Sequence, residues 1–302
     1  MKNLFRSIAL LSIAATAWNS ASAAVYIVSY TGGGNNPFAD STDSAIHGGS
    51  GTPASPFVMA SLRGAVAAAN ANPGSTIRLP IGTYNLTIPG GVTTTQGSGE
   101  GFNGGNNDIG DLDVKASGTT ITGLGTPANT IIKQNTPLNA TPSYDRVIEV
   151  NPALSANFIF TIENVTLTGG NTPDGGGAIV AGNQNNVTTI TNCVLADNHS
   201  FGLSSPGGAI FNIGGGNLVI SGTTFQNNGS GPSSGGAIAH ANAPYVGQLQ
   251  LTNCTFTGNS ATGAANSGGG AVSISDLADQ HTITNCTFTN NTAPTASAGG
   301  GA

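Results

Sequence analysis

Residues 190–198 read ITNCVLADN, and the same pattern returns as ISGTTFQNN from Ile220, LTNCTFTGN from Leu251 and ITNCTFTNN from Ile283. A fifth copy, IENVTLTGG, begins at Ile162. Each copy is followed, after a polar loop of variable length, by Gly-Gly-Ala at 176–178, 207–209, 235–237, 269–271 and 300–302. The period is 28 to 34 residues. One apolar column runs Ile162, Ile190, Ile220, Leu251, Ile283 and a second runs Leu167, Leu195, Phe225, Phe256, Phe288, with Thr and Val between them. A third, Ile179, Ile210, Ile238, Val272, follows the Gly-Gly-Ala. Short alternating runs of this kind are strands rather than helices.

Strands too short to fold alone bury their apolar faces when each turn of chain stacks on the previous one at the ~4.8 Å strand spacing. The repeat therefore predicts an all-β fold, a single-stranded parallel β-helix, right-handed because parallel crossovers nearly always are. Each stacked Phe in the column Phe225, Phe256, Phe288 would contribute roughly 1.5 to 3 kcal/mol of burial. Two Asn columns accompany the strands. Asn164, Asn192, Asn253 and Asn285 share one position, with Gly222 in the third copy; Asn198, Asn228, Asn259 and Asn291 share another, with Gly170 in the first. Asn and Gly best tolerate a left-handed backbone, so both columns are expected at tight corners. Stacked amides could also bond along the coil and satisfy buried corner groups.

Outward from the repeat, the chain has 302 residues, 46 of them Gly, and only 7% are charged, a composition that would mean disorder without the regular apolar spacing. Residues 1–23 carry Lys2 and Arg6, an apolar run from Ile8 to Ala17 and Ala21-Ser22-Ala23, which reads as a secretory signal. The run is short for a bilayer and no later stretch has the ~18 apolar residues of a transmembrane helix, so no membrane-spanning segment is expected. Removing the signal leaves five basic residues against thirteen acids, a net charge of −8, which excludes nucleic acid and anionic membrane surfaces as partners. Organisation follows as signal 1–23, an N-terminal cap with the first rungs 24–90, irregular rungs 91–161 and repeats 162–302. The last Gly-Gly-Ala stands where earlier copies begin another strand, so further C-terminal rungs, and an anchor or transport domain, are expected.

The stretch ASLRGAVAAANANPGSTIRLPIGTYNLTI, from Ala60 to Ile88, places Leu62, Val66 and Ala69 on one face of a short helix stopped by Asn72-Pro73-Gly74. Such a helix could cap the open end of the coil, with Arg63 as a surface or loop-bonding residue.

FQNN, FTGN and FTNN, with GGAI at 207–210 and 235–238, resemble the FxxN and GGA[ILV] repeats of polymorphic outer-membrane proteins, which are surface-exposed β-helical passengers. Ser61, Leu62, Arg63, Ala65 and Asn70 resemble the N-terminal CSLREA module of exported bacterial β-helix proteins, although Ala60 and Gly64 replace its Cys and Glu. GDLDV at 110–114 and DRVIEV at 145–150 are similar to segments of those proteins. The resemblance implies an exported adhesin-like or structural passenger, extracellular or at the outer membrane, contacting glycans, cell surfaces or matrix.

The alternative is a carbohydrate-active enzyme, a pectate-lyase-like polysaccharide lyase or a hydrolase. A lyase needs a base beside Ca²⁺-holding carboxylates, yet no Lys or Arg follows Arg146. A hydrolase needs two facing carboxylates, and Glu163, Asp174, Asp197, Asp276 and Asp279 share no repeat column. The densest acidic group, Asp108, Asp111 and Asp113, is the candidate for binding Ca²⁺. His47, His199, His240 and His281 lack ligand spacing and read as solvent-facing loop residues. Cys193, Cys254 and Cys286 share the column held by Val165 and Thr223, which argues for small buried side chains. Cys254 and Cys286 fall on neighbouring rungs, near enough to pair in an oxidising compartment. The Asn-x-Ser/Thr sequons arise from the repeat and are assigned no glycan.

Overall fold

The computed structural model describes residues 23–34, 36–88, 110–135, 145–153, 155, 157–182, 185–202, 205–241, 247–262, 268–275 and 280–293. Residues 1–22 of the proposed signal, Asp108, Asp276, Asp279 and the Gly-Gly-Ala at 300–302 lie outside these residues.

Every paired strand is parallel to its neighbours and joins the next turn of the coil, so the chain is an all-β solenoid. The first face is a 9-stranded sheet: Phe57–Met59 lies beside Val25–Val28, followed by Thr76–Leu79, Thr119–Gly123, Ile159–Glu163, Val187–Thr191, Asn217–Ser221, Leu249–Thr252 and Thr282–Thr284. The second face has seven strands, from Gly82–Leu86 to Thr287–Thr289, one for each turn. The third has six, from Leu112–Val114 to Val272–Ser275. A 4-stranded corner sheet, from Asn171–Thr172 to Ser260–Ala261, sits between the second and third faces.

Register explains why so few residue types suffice. Ile162, Ile190, Ile220, Leu251 and Ile283 pair in line, and the structure extends this column back to Ile121 and Ile77. Leu167, Leu195, Phe225, Phe256 and Phe288 likewise continue Tyr84 and Ile132. Consecutive Phe rings stack with centroids 4.7 Å apart and nearly parallel planes, so each turn offers the next the shape it already has. The third column extends to Ile148 and Leu112.

The Gly-Gly-Ala motif answers two steric demands. Gly176, Gly207 and Gly235 have φ near +70°, the left-handed region. At Gly208, a Cβ would collide with the Gly236 carbonyl and the Gly229 backbone, because the corner sheet presses against it. Ala178, Ala209, Ala237 and Ala271 are then fully buried.

The two Asn columns separate. Asn164, Asn192, Asn253 and Asn285 adopt φ of 50 to 58°, with Gly222 at 57°, as their expected corner role requires. The second column does not: the left-handed residue is the one before it, Gly169, Asp197, Asn227, Gly258 or Asn290. Asn198, Asn228 and Asn259 instead point inward, fully buried. Their amides form a ladder. Asn198 Nδ2 donates to Asn228 Oδ1 at 3.1 Å, Asn228 Nδ2 to Asn259 Oδ1 at 2.9 Å and Asn259 Nδ2 to Asn291 Oδ1 at 2.8 Å. The same amides reach the carbonyls of Leu167, Leu195, Phe225 and Phe256, closing backbone acceptors at a bend that water cannot reach.

The short helix Leu62–Asn70 covers the N-terminal end of the coil, its first turn capped by Ser61 Oγ, which accepts from the Gly64 N–H at 3.0 Å. Leu62, Val66 and Ala69 are buried. The helix is stitched to the edge strand Leu112–Val114 by Asn70, whose Nδ2 donates to the Asp113 carbonyl and whose Oδ1 accepts from the Lys115 N–H, each at 2.8 Å. That side chain substitutes for a neighbouring strand and blunts an otherwise open edge.

Candidate functional site

The ionisable residues gather where the helix, the edge strand and the second turn meet. Arg63, expected at the surface or on a loop, is 1% exposed. Its Nε donates to Asp40 Oδ1 at 2.7 Å and its Nη2 to Asp40 Oδ2 at 3.0 Å, a bidentate pair. The remaining donors reach the Gly110 carbonyl at 2.6 Å and the Asp111 carbonyl at 2.8 Å. Asp40 Oδ2 also accepts from the Thr87 and Ile88 N–H groups. This pair therefore ties the 36–43 loop, the helix, the end of the strand Gly82–Leu86 and the start of Leu112–Val114 into one cap. The loop-bonding half of the expectation matches the geometry; the surface half is corrected, because only a buried guanidinium meets those four acceptors together.

Beside it lies a second group. Asp113 on the edge strand and Glu149 on its neighbour Ile148–Val150 pair in register on the third face, and Asp111 lies just before the edge strand. One carboxylate oxygen from each lies within 4.8 Å of the other two, and all three residues are buried. Among the described residues this is the grouping of acids with metal-ligand proximity. Two of the three sequence candidates for Ca²⁺, Asp111 and Asp113, are thus together, Asp108 is outside the described residues, and Glu149 joins them unannounced.

Arg146 changes what the cluster can do. It occupies the column that holds the second Gly of Gly-Gly-Ala in later turns: Val147 takes the place of Ala178. Its Nη1 lies 3.4 Å from Glu149 Oε2 and 3.7 Å from Asp111 Oδ2, and its Nη2 lies 3.8 Å from Asp174 Oδ2. The guanidinium brings a positive charge against two of the three acids. The oxygen donors suit a hard cation by type, but the geometry is that of a buried ion network with an internal counter-charge. Burial pushes the Asp111 carboxyl above its ordinary range, an effect that Arg146 and then Arg63 oppose but do not overcome. Asp111 Oδ2 accepts no hydrogen bond.

Among the described residues, the acids of the repeats, Glu163, Asp174 and Asp197, do not meet one another. Glu163 lies on the first face in register with Thr122 and Thr191, Asp174 faces Arg146, and Asp197 bends the corner after the second face. His240 departs from the expected solvent-facing position: it is 1% exposed, with Nδ1 2.9 Å from Asn212 Nδ2 and Nε2 3.2 Å from the Gly247 carbonyl. It pairs in register with Asn212 on the third face, where the side chain turns into the coil. His199 is exposed, while His47 and His281 are partly covered. Cys193 and Cys254 are buried, Cys286 is half-buried, and all three are free thiols. Burial pushes the Cys193 thiol up to about 12 and that of Cys254 up to about 11.

Comparison with known protein families, characterised proteins and solved structures finds no match for this chain. The class that the coordinates define is therefore a parallel β-solenoid of seven turns with an N-terminal helical cap. Among the described residues no helix is long and apolar enough to cross a membrane.

Proposed function

We propose that this chain is the β-solenoid of an exported protein, extracellular or at the outer-membrane surface, acting as an adhesive or structural passenger without chemistry of its own. The observation that carries this reading is the outer surface of the two long sheets. On the first face Thr120 and Thr122, Thr189 and Thr191, and Thr282 and Thr284 flank inward Ile residues, with Thr161, Ser221 and Thr252 in the same two columns. The second face repeats this with Thr166 and Thr168, Thr255 and Thr257, and Thr287 and Thr289. A rigid ladder of hydroxyls with few charges suits shallow, repeated contact with a glycan or matrix polymer, where many weak hydrogen bonds add along the axis.

The gathered carboxylates support the non-catalytic side of the reading, because side chains this buried present no surface to a sugar ring. Export is supported by the first 23 residues and by the resemblance of the repeats and the Ala60–Ile88 stretch to exported β-helical passengers. Cell fractionation with protease shaving of intact cells, followed by binding of the purified protein to glycan and matrix panels, tests it. Shaving of the native protein and binding that weakens when Thr189 and Thr191 are replaced by Lys are expected. A cytosolic product would sink export, and uniformly negative binding would leave only the structural role.

A further inference from the structure

Cys193, Cys254 and Cys286 stand in one column of the coil, with Thr223 occupying the turn between the first two. Backbone bonds fix this register: the Thr224 N–H donates to the Cys193 carbonyl, Thr255 to Thr223 and Thr287 to Cys254, at 2.9 to 3.0 Å. The column therefore contains one adjacent pair of cysteines. The neighbouring rings of Phe256 and Phe288 give the spacing of these two turns as 4.7 Å. That step places the two Cα atoms inside the ~4.4 to 6.8 Å window of a disulfide. Cys193 is two steps from Cys254, about 9.6 Å, beyond that window.

The thiols are held by weak bonds only. Cys254 Sγ donates to the Thr252 carbonyl at 3.4 Å and the Ile220 carbonyl at 3.7 Å, and Cys286 Sγ to the Thr284 carbonyl at 3.4 Å. A thiol is a poor donor, so a rotamer change that gives these up costs little. The two side chains already sense each other, since Cys286 is among the groups that raise the Cys254 thiol. Cys286 is the half-buried member and meets a reagent from solution first.

We propose that Cys254 and Cys286 are a cross-link site, joined by a disulfide that staples the last two described turns together while Cys193 stays a thiol. The oxidant is another disulfide, small or protein-borne. The Cys286 thiolate attacks it, forming a mixed disulfide and releasing one thiolate. The Cys254 thiolate then attacks Cys286 Sγ, forming the Sγ–Sγ bond and expelling the second thiolate. Two protein thiols are oxidised, one disulfide is reduced to two thiols, and the two protons lost by the cysteines are taken up by the leaving thiolates. The deep Cys254 makes the second step the slow one. Supply of oxidant in the cell rests on the exported reading; the geometry does not.

The test is incubation of the purified chain with oxidised glutathione, alkylation of the remaining thiols after denaturation, and peptide mass analysis. A single alkylated cysteine, Cys193, and a linked peptide pair containing Cys254 and Cys286 are expected, with a higher melting temperature that falls back on reduction. Cys286→Ser should abolish the linked pair, and Cys193→Ala should leave it intact. Three alkylated cysteines, a glutathione adduct on Cys286 that never resolves, or a link to Cys193 would overturn the proposal. The same count on protein taken directly from cells separates the two ideas: ready closure in vitro with free thiols in the cell would count against export and leave the site standing.

Discussion

Asn228 and Asn259 touch twice: a single oxygen, Asn259 Oδ1, accepts both the Asn228 backbone N–H at 3.0 Å and the Asn228 side-chain Nδ2 at 2.9 Å. Asn228 Oδ1 does the same for Asn198. Each amide is thus a splint between turns, presenting its oxygen to one neighbour and its nitrogen to the other. Asn228→Asp keeps the shape and removes both donors, leaving the Leu195 carbonyl and Asn259 Oδ1 facing a buried carboxylate. Leaving such groups unmet costs ~1 to 3 kcal/mol. Asn253→Asp, on the exposed corner column with φ of 55°, should change stability by no more than about 0.5 kcal/mol. Denaturant melts with amide exchange across the strands Val194–Ala196 and Thr224–Gln226 would tell the two columns apart, and equal effects would refute the division of labour.

Glycine positions of one sequence type should respond very unequally. At Gly222, φ is 57° and nothing lies nearer than 3.9 Å to a Cβ built there, so Asn fits as it does at Asn192 one turn earlier. Gly222→Asn should change stability by no more than about 0.5 kcal/mol, since restriction of the unfolded chain offsets the modest strain of an Asn at positive φ. Gly208→Ala drives a methyl into the backbone of the next turn and should cost more than about 2 kcal/mol or prevent folding. A paired thermal melt decides this, and a tolerated Gly208→Ala would mean that the turns are not packed as closely as described.

How much of this was legible follows from what repeats. The strands, their register and the core columns recur every turn, so Ile190 or Phe256 announces its place by comparison with its equivalents. Sequence alone does not separate the buried Asn column from the corner, because its neighbour is also Asn in Asn227-Asn228 and Asn290-Asn291; composition cannot say which of two adjacent Asn bends and which turns inward. The charge cluster occurs once. Asp40 meets Arg63 across 23 residues and Asp111 meets Arg146 across 35, with no periodicity to reveal them. One signal was available: GDLDV and DRVIEV both end in apolar–acid–apolar, and aligning them as consecutive turns puts Asp113 against Glu149.

The Arg63–Asp40 pair should be the weak point of the cap. Arg63→Met leaves the Asp40 carboxylate buried with its backbone donors alone, and breaking a buried pair from one side costs about 3 to 5 kcal/mol. Arg63→Lys keeps the charge but cannot serve two carboxylate oxygens and two carbonyls together, so about 1 to 2 kcal/mol is expected. The loss should be local. Limited proteolysis should cut within residues 36–88 first, while the Phe225–Phe256–Phe288 region stays protected. Uniform loss of protection along the chain would show that the cap and the repeats unfold as one unit.

Asp111 offers a pH-dependent outcome with a definite sign. Its carboxyl is raised in the folded chain by burial, so the fold prefers the protonated form more than water does. Its stabilising contribution is complete below the unfolded value, near pH 4, and is lost as pH rises through the folded value. Asp111→Asn fixes the side chain in a neutral state of the same shape. Arg146 keeps Glu149 and Asp174 as partners, so its charge is not stranded. The variant should be more stable than the parent at pH 8, and the two stability curves should converge as the pH falls toward 4. Stability measured by urea titration at several pH values between 4 and 8 gives that difference directly. A variant that is less stable at pH 8 would mean that the Arg146 contact outweighs desolvation, and that the cluster holds Asp111 as an anion. Adding Ca²⁺ at pH 8 sharpens the comparison. With Arg146 already supplying positive charge beside Asp111 and Glu149 the parent's midpoint should not move, whereas a Ca²⁺-dependent rise that Asp111→Asn abolishes would place a metal among these carboxylates.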